Sequence, residues 1–314
     1  MAFHLFVTCV AQKKVTQLVS IRDSGITRGS TENVFTQWKE KLEKSKLQRV
    51  KAVDLYKGDL WQKYLNLYRM IKQSGEDTYF WIISAGQGLV RHDTEVVPYA
   101  VTFQDSGLSD ESIFTKIEYD PKRAGVKKQI LNDWWRFVQT INNEKSVLEL
   151  LRDSTEHDKF LFVLGREYLT ALLPDLKSGL LQSKYRSKVA IISNSKKDPD
   201  MRSLGDNLLF NSPDFRNLPA TNSITVNASI AIDLLSNNEV ELNWDVVKLN
   251  EYLTSRVSQL SKSVIHERQK STDEEVKKFI FDHLSDRKHS ASDLNRLFRD
   301  SGRACEQKRF SKLY

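Results

Sequence analysis

The segment best suited to hold a ligand is a predicted strand followed by a turn of small residues. Residues 79–83 (Y-F-W-I-I) form an apolar run of strand length, and residues 84–88 (S-A-G-Q-G) follow at once. Such a turn presents backbone N–H groups at the carboxyl end of a strand, where open α/β sheets bind ligands. We therefore predict catalytic roles for Ser84 and Gln87. The amides around Gly86 and Gly88 are expected to hold a phosphate or a departing base anion.

Breaking an N-glycosidic bond is a reaction that residues near this turn could catalyse. The reaction needs a carboxylate beside the sugar, because positive charge develops there in an oxocarbenium-like transition state. Asp93 is the predicted carboxylate, and its neighbours Arg91 and His92 favour its ionised form. The alternative is that Asp93 only caps the local turn.

A base drawn into such a site also needs an aromatic face and amide groups that recognise its edge. Tyr56 and Tyr99 are the predicted stacking residues, while Gln12, Gln87 and Asn194 are predicted to read the base. The alternatives are a core position for Tyr99 and turn chemistry for Asn194.

The composition is typical of a globular protein of one large domain, or of a main domain with a small one. The chain has 314 residues, of which 39% are hydrophobic and 28% charged. No apolar run approaches the roughly 20 residues that span a bilayer. The two cysteines, Cys9 and Cys305, lie far apart, and no ligand spacing indicates a metal. We expect a cytoplasmic protein with no cofactor, no bound metal and no membrane partner, and we infer no obligate protein partner.

Positive charge is concentrated near the end of the chain and predicts a DNA partner. The net charge is +7, and residues 287–314 contain eight Lys or Arg against three Asp or Glu. Phosphate contacts are predicted for Arg303, Lys308, Arg309 and Lys312. Lys14 is assigned to DNA as well, and the adjacent Lys13 to the nucleotide. The alternative for all of these cations is a solvated surface.

Strands that alternate with helices predict an α/β fold, with three layers and a mostly parallel sheet that carries helices on both faces. The predicted strands are residues 3–9, 49–56, 79–84, 160–165, 189–194 and 222–226. The predicted helices are residues 31–47, 59–71, 123–143, 147–152, 168–176 and 244–261, and Pro174 is expected to break or end the fifth of these.

The domain boundaries follow from these elements. Residues 1–240 are predicted to form an α/β catalytic-like domain, residues 241–270 a long helix and linker, and residues 271–314 a basic helical module. In that module a helix over residues 273–284 buries Leu284, and a second helix begins at Ser290 or Ser292 and buries Leu297. A glycine turn at Gly302 precedes a third, basic helix, an order similar to helix-turn-helix modules.

Three motifs resemble a bacterial and phage family of uncharacterised α/β domains. They are Cys9-x-x-x-Lys13, L-Y-x-G-x-L-W-x-K-Y over residues 55–64, and I-S-A-x-x-G-L-V over residues 83–90 with Asp93 and Pro98-Tyr99. The family is similar to the uracil-DNA-glycosylase superfamily, although the G-Q-D-P-Y element and the late histidine motif of that superfamily are absent. Some related proteins remove modified bases from DNA in anti-phage defence. The resemblance therefore implies a uracil-DNA-glycosylase-like fold and a DNA glycosylase acting by base flipping.

Three classes of function agree with these features. The first is a DNA glycosylase that hydrolyses the N-glycosidic bond of a base in DNA, including modified phage DNA. The second is an enzyme that processes free nucleosides or nucleotides in the same crevice. The third is a DNA-binding protein whose α/β domain is a non-catalytic sensor. Only the first needs both the polar crevice and the basic module.

Overall fold

The chain forms two compact units, Met1–Ser261 and Lys262–Tyr314, in a computed structural model. The structure describes residues 2–105, 109–142, 144–194, 199–237, 244–262, 269–283 and 290–314. Within these ranges no helix combines the length and the apolar character that crossing a membrane requires.

The first unit is built on a five-stranded sheet. The strands of this unit, in chain order, are β1 (Ala2–Thr8), β2 (Val19–Ser20), β3 (Val50–Lys51), β4 (Asp77–Ser84), β5 (Gly88–Arg91), β6 (Glu95–Val96), β7 (Tyr99–Ala100), β8 (Lys159–Val163) and β9 (Val189–Ile192). Four of them form two short pairs outside the sheet, β2 with β7 and β3 with β6. The sheet order is β5-β4-β1-β8-β9, and only β5 runs antiparallel to its neighbour. The predicted mixed α/β fold with a mostly parallel sheet is confirmed.

Eight α-helices of the first unit are described: α1 (Thr31–Glu43), α2 (Ala52–Leu55), α3 (Asp59–Gln73), α4 (Val126–Val138), α5 (Val147–Arg152), α6 (Arg166–Gln182), α7 (Val226–Leu235) and α8 (Val246–Ser258). Side chains define several starts: Ser30 accepts from the backbone N–H of Asn33 at α1, and Ser146 forms a capping box with Glu149 at α5. Helical turns of the tighter 3-10 type cover Ile113–Thr115, Gln139–Ile141, Arg186–Lys188, Pro199–Asn207 and Pro213–Asn217.

The sheet is buried on both faces. Successive residues of β1, from Phe3 to Thr8, are all buried, although neighbouring side chains of a strand point to opposite faces. On one face the rings of Phe6 and Phe162 stack with centroids 4.1 Å apart. Trp61 of α3 packs against Phe80 at 5.9 Å. Because both faces of the sheet are covered, a ligand can reach it at the ends of the strands.

Two of the predicted strands are wrong. Residues 49–56 form the short strand β3 followed by α2, because a helical turn buries Ala52 and Leu55 together. Residues 222–226 are a turn into α7, since the Asn222 side chain accepts from the backbone N–H groups of Ile224 and Thr225. In both places local contacts favour a helical turn or a capped turn, and a run of apolar residues does not show this.

Helix α6 continues through Pro174 instead of breaking there. Proline has no N–H, so the carbonyl of Thr170, four residues earlier, loses its helical donor. The Asn132 side chain of α4 supplies one, because its Nδ2 donates to that carbonyl at 2.6 Å and to the carbonyl of Ala171 at 3.2 Å. A hydrogen bond from another helix thus replaces the one that the proline cannot donate, and α6 continues.

The second unit contains β10 (Gln269–Lys270), α9 (Asp273–His283), α10 (Ala291–Asp300), β11 (Arg303–Ala304) and α11 (Gln307–Leu313). Its small core comprises Val276, Phe279, Ile280, Leu294, Phe298, Cys305 and Phe310. The segment after Gly302 is β11, which pairs in parallel with β10, so the expected helix-turn-helix connection is here a strand. Leu297, predicted to be buried, is 41% exposed.

The unit boundary lies at Ser261. Helix α8 belongs to the first unit, where Leu249 and Leu253 are buried in its core, and it is not a separate connecting segment. Leu284, which was predicted to be buried, lies outside the described residues, as do the cations Arg287 and Lys288.

We expect the buried imidazole of His4 to make stability depend on pH. Burial lowers the pKa of His4 from 6.5 to about 4, and attraction to Asp158 offsets only part of this effect. The folded state therefore binds a proton less readily than the unfolded state. The free energy of unfolding is therefore highest, with respect to this group, above pH 6.5. It falls by on the order of 3 kcal/mol as the pH decreases toward 4.

Urea unfolding of wild type and His4→Phe between these pH values measures the effect. The variant should show a shallower loss of stability, whereas His157→Gln, at a side chain that is 68% exposed, should keep the wild-type slope. Equal slopes for wild type and His4→Phe would show that His4 does not carry the dependence.

Candidate active site

A cavity of about 510 Å³ opens at the carboxyl ends of the parallel strands. Its walls come from the end of β1, the starts of three helices (α3, α6 and α7), the segment after β7 and the segment after β9. The lining residues are Thr8, Cys9, Val10, Ala11, Gln12, Lys57, Gly58, Asp59, Leu60, Tyr64, Val101, Thr102, Gln104, Gly165, Glu167, Tyr168, Asn194, Asn222, Ser223, Ile224, Thr225 and Asn227. The predicted crevice therefore exists, and Gln12 and Asn194 lie in it.

Asparagine side chains give one wall of the cavity a fixed arrangement of amide groups. The Nδ2 of Asn227 donates to the Leu164 carbonyl at 2.9 Å, at the end of β8. Asn211 donates to the Asn194 Oδ1 at 2.7 Å and to the Ser193 carbonyl at 3.1 Å, at the end of β9. Because these bonds run to strand ends, the sheet itself orients the amides that face the cavity.

Two carboxylates belong to the cavity wall, and each begins a helix. Asp59 is the first residue of α3, and Glu167 is the second residue of α6. A carboxylate in the first turn of a helix interacts favourably with the positive end of the helix dipole. Glu167 is half-buried, whereas Asp59 is exposed at the rim. Glu167 is therefore the better shielded carboxylate.

Hydroxyl and thiol groups also line the cavity. The Cys9 Sγ lies 3.0 Å from the Tyr168 hydroxyl, and the Thr8 Oγ1 lies 3.2 Å from the Tyr64 hydroxyl. Burial raises the pKa of Tyr64 to about 12 and that of Tyr168 well above its usual range. Both phenols therefore stay protonated at neutral pH and act as hydrogen-bonding groups.

The turn at residues 84–88 is a closed structural element and does not line the cavity, which corrects the prediction for it. The Ser84 hydroxyl accepts from the N–H groups of Gly86 at 3.1 Å and Gln87 at 2.8 Å. The Gln87 side chain donates to the Val97 carbonyl at 3.2 Å, and the turn is buried. The N–H groups of Gly86 and Gln87 are therefore satisfied inside the protein and are not available to an anion, and Gly88 pairs with Ser84 in the sheet.

Two buried tryptophan side chains donate hydrogen bonds to the same turn. Trp38 donates to the Gly86 carbonyl at 2.9 Å, and Trp134 donates to the Ala85 carbonyl at 2.7 Å. A Cβ on Gly86 would lie 2.5 Å from the ring of Tyr99. Glycine is therefore required at residue 86 for close packing, not for access to a ligand.

Tyr56 and Tyr99 lie behind the cavity and cannot stack on a base there. Both are fully buried, and the Tyr99 hydroxyl lies 2.8 Å from that of Tyr56 and 2.5 Å from Ser84 Oγ. Burial raises the pKa of each phenol well above its usual range. The three hydroxyls form a buried chain that fastens the turn to the rest of the core.

Lys13 lies on this tyrosine pair. Its Nζ donates to the carbonyl of Val10 and stands 4.6 Å from the centroid of the Tyr56 ring and 5.3 Å from that of Tyr99. Lys14 points elsewhere, with its Nζ 3.9 Å from a carboxylate oxygen of Asp54 and nearly half of its side chain exposed.

Asp93 is far from the cavity, which corrects its assignment as the catalytic carboxylate. Strand β5 runs antiparallel to β4, so the chain after Gly88 returns toward the amino ends of the parallel strands. Asp93 follows β5 and forms an ion pair with Arg91 at 3.1 Å on the surface. The adjacent His92 donates its backbone N–H to the carbonyl of Phe80, in the first half of β4.

The cations assigned to DNA differ in their surroundings. Arg309 donates to Asp273 at 2.6 Å and to the Ser271 carbonyl at 2.9 Å, so it holds the second unit together. The guanidinium of Arg303 lies over the rings of Phe279 and Phe298 at 5.7 and 5.5 Å. Lys312 is exposed, and the side chain of Lys308 lies outside the described residues.

Sequence reasoning missed Glu167, Asn222 and Asn227 as cavity residues. The signal for Glu167 was present, because an apolar strand, Gly165 and a helix start follow one another there, and this order places side chains at the carboxyl end of a strand. Asn222 and Asn227 were hidden by the wrong assignment of residues 222–226 as a strand.

The chain matches no protein-family model, and comparisons with curated proteins and with solved structures likewise found no match. In the described part of the chain, no three His, Cys, Asp or Glu side chains come together as metal ligands.

Proposed function

We propose that the protein hydrolyses the N-glycosidic bond of a base in nucleic acid, with DNA as the substrate and the cavity as the site. The observation that carries the proposal is the composition of the cavity, where amides fixed to strand ends share a space of about 510 Å³ with Glu167 and Asp59. A volume of this size is typical of small-ligand sites and holds a nucleoside.

Each group has a role in the proposed reaction. The amides of Asn194 and Asn227 hydrogen-bond the edge of an extruded base. The Glu167 carboxylate faces the sugar, stabilises its developing positive charge and orients the attacking water. Water adds to the anomeric carbon as the bond to the base nitrogen breaks, and the base leaves with the bonding electrons and takes up a proton.

Asp59 has a supporting part in this scheme. It stands at the exposed rim of the same cavity, at the start of α3. Its charge adds to the negative potential over the site and favours a cationic transition state over the neutral substrate. Because the rim is solvated, its effect should be smaller than that of Glu167.

The resemblance of the three sequence motifs to the family related to uracil-DNA glycosylases supports a base-releasing activity, a uracil-DNA-glycosylase-like fold and a role in anti-phage defence. The exposed cations of the second unit support a DNA substrate, since phosphate contacts require accessible Lys and Arg. Arg296, with 75% of its side chain exposed, and Lys312 are two such residues.

A second candidate is the hydrolysis of free nucleosides or nucleotides in the same cavity. It is favoured by the contacts of Arg309 and Arg303, which are used inside the second unit and are therefore less available to phosphates. The two candidates share the chemistry and differ in the substrate that carries the base.

The test is to incubate the protein with unmodified DNA, with base-modified phage DNA and with free nucleosides, and to measure the released base by mass spectrometry. Base and abasic sites from DNA are expected, with slower release at high salt because phosphate contacts are screened. Release from nucleosides alone would support the second candidate. DNA binding without any release would indicate a non-catalytic sensor and contradict the proposed activity.

A further inference from the structure

The backbone fixes which end of the Asn194 amide faces the cavity. The Nδ2 of Asn211 donates to the Ser193 carbonyl at 3.1 Å and to the Asn194 Oδ1 at 2.7 Å. A backbone carbonyl can only accept a hydrogen bond, so the Asn211 atom beside it must be the nitrogen. The Asn194 atom that meets this nitrogen must then be the oxygen, which leaves the Nδ2 of Asn194 for a ligand.

The same reasoning fixes two further amides of the cavity wall. The Nδ2 of Asn227 donates to the Leu164 carbonyl at 2.9 Å, which again identifies the nitrogen. The Oδ1 of Asn222 accepts from the backbone N–H groups of Ile224 at 2.8 Å and of Thr225 at 3.0 Å, and these groups can only donate. The backbone therefore sets the orientation of these amides as well.

The amide groups that remain for a ligand are hydrogen-bond donors. Within the described part of the chain, no group accepts from the Nδ2 of Asn194, and the Nδ2 of Asn227 uses only one of its two hydrogens. The Oδ1 atoms of both residues lie within 3.5 Å of the Asn211 Nδ2, so the two amides are neighbours. Since both residues line the cavity, its wall presents two neighbouring donors.

We propose that the cavity takes a 6-oxopurine, the base class of guanine and hypoxanthine, and that Asn194 and Asn227 recognise its O6 and N7. The proposal rests on the proposed function, which brings a base into the cavity. O6 and N7 are neighbouring acceptors on one edge of such a base, and they match two neighbouring donors. Adenine carries an amino group in place of O6, so a donor would meet a donor there. A cavity of about 510 Å³ has room for a purine nucleoside.

Asn211 is a positioning residue in this recognition, because its Nδ2 holds the oxygen of Asn194. It is itself held by the Ser193 carbonyl, directly after β9. Without Asn211 the side chain of Asn194 can rotate and present its oxygen, which accepts from the amino group of adenine. Asn211 therefore controls the preference of the cavity between an oxo group and an amino group.

Affinities for free 2′-deoxynucleosides test the proposal without requiring hydrolysis. Isothermal titration calorimetry on the full-length protein should show deoxyinosine binding about 10-fold more tightly than deoxyadenosine, which has the same size and differs at N1 and C6. Deoxyguanosine should bind about 10-fold more tightly than 7-deazadeoxyguanosine, which lacks the N7 acceptor. Equal affinities within either pair, or binding too weak to measure, would overturn the proposal. Tighter binding of deoxycytidine, whose O2 and N3 are also neighbouring acceptors, would overturn it too.

Variants assign the preference to the amides. Asn194→Asp replaces the donor by a carboxylate of equal size and should abolish the preference for deoxyinosine, and Asn211→Leu should bring the two affinities together. Asn132→Leu is the matched control, because Asn132 also donates to two backbone carbonyls but lies outside the cavity, and it should keep the preference. An unchanged preference in Asn194→Asp would overturn the proposal. Base release without a preference for 6-oxopurines would contradict this proposal alone, whereas the nucleoside preference without base release would contradict only the proposed function.

Discussion

Replacement of Glu167 by glutamine should reduce the rate of base release by about 10²–10⁴-fold, the usual contribution of a carboxylate that acts in the transition state. The substitution removes the negative charge beside the sugar but keeps the size of the side chain. Substrate binding should change little, because the charge matters only once the sugar becomes cationic. Single-turnover base release and DNA affinity, measured on the same preparations, separate the two effects.

Two further variants make this result specific. Asp59→Asn should reduce the rate less than Glu167→Gln, since Asp59 lies at the solvated rim. Asp93→Asn should leave the rate at the wild-type value, because Asp93 is on the surface beside Arg91 and outside the cavity. A normal rate in Glu167→Gln together with a large loss in Asp93→Asn would contradict the location of the site.

Gly88→Ala should lower the free energy of unfolding more than Gly75→Ala, although both glycines have a positive φ. Gly88 has φ +74, and a Cβ there would lie 2.6 Å from the carbonyl oxygen of Val138, a backbone atom that cannot rotate away. The substitution must therefore move the turn relative to the end of α4. We expect it to lower the free energy of unfolding by about 2–3 kcal/mol beyond the cost of the backbone conformation.

Gly75→Ala is the control that measures the cost of the left-handed backbone conformation alone. Gly75 also has a positive φ, +84, but no atom lies within 4 Å of its added Cβ. Its loss should be about 1 kcal/mol, the penalty of an L-residue in the left-handed region. Urea unfolding of both variants measures the difference, and equal losses would show that the turn does not pack closely against residue 138.

The strands could be predicted from the sequence because their residues are apolar on both faces. Residues 3–9 and 160–165 read as buried strands, and they overlap β1 (Ala2–Thr8) and β8 (Lys159–Val163) to within two residues at each end. The same periodic reasoning found α3 from the spacing of Trp61 and Tyr64. These features depend on local patterns, which the sequence displays directly.

The candidate site was only partly predictable, because it depends on the direction in which the chain leaves each strand. Gln12 and Asn194 were placed correctly since both follow parallel strands. Asp93 was misplaced because nothing in the local sequence shows that β5 turns back along β4. Pro174 was misjudged for a related reason, as the donor that compensates it, Asn132, comes from another helix.

A crystal structure of a complex would show whether the cavity holds the base and its sugar. The ligand is an oligonucleotide with a 2′-fluorinated nucleotide, which resists cleavage because fluorine disfavours the cationic transition state. We expect the base edge to contact Asn194 or Asn227 and the anomeric carbon to face Glu167. A nucleotide bound at the surface near Asp93, with the cavity left unchanged, would show that the cavity is not the site.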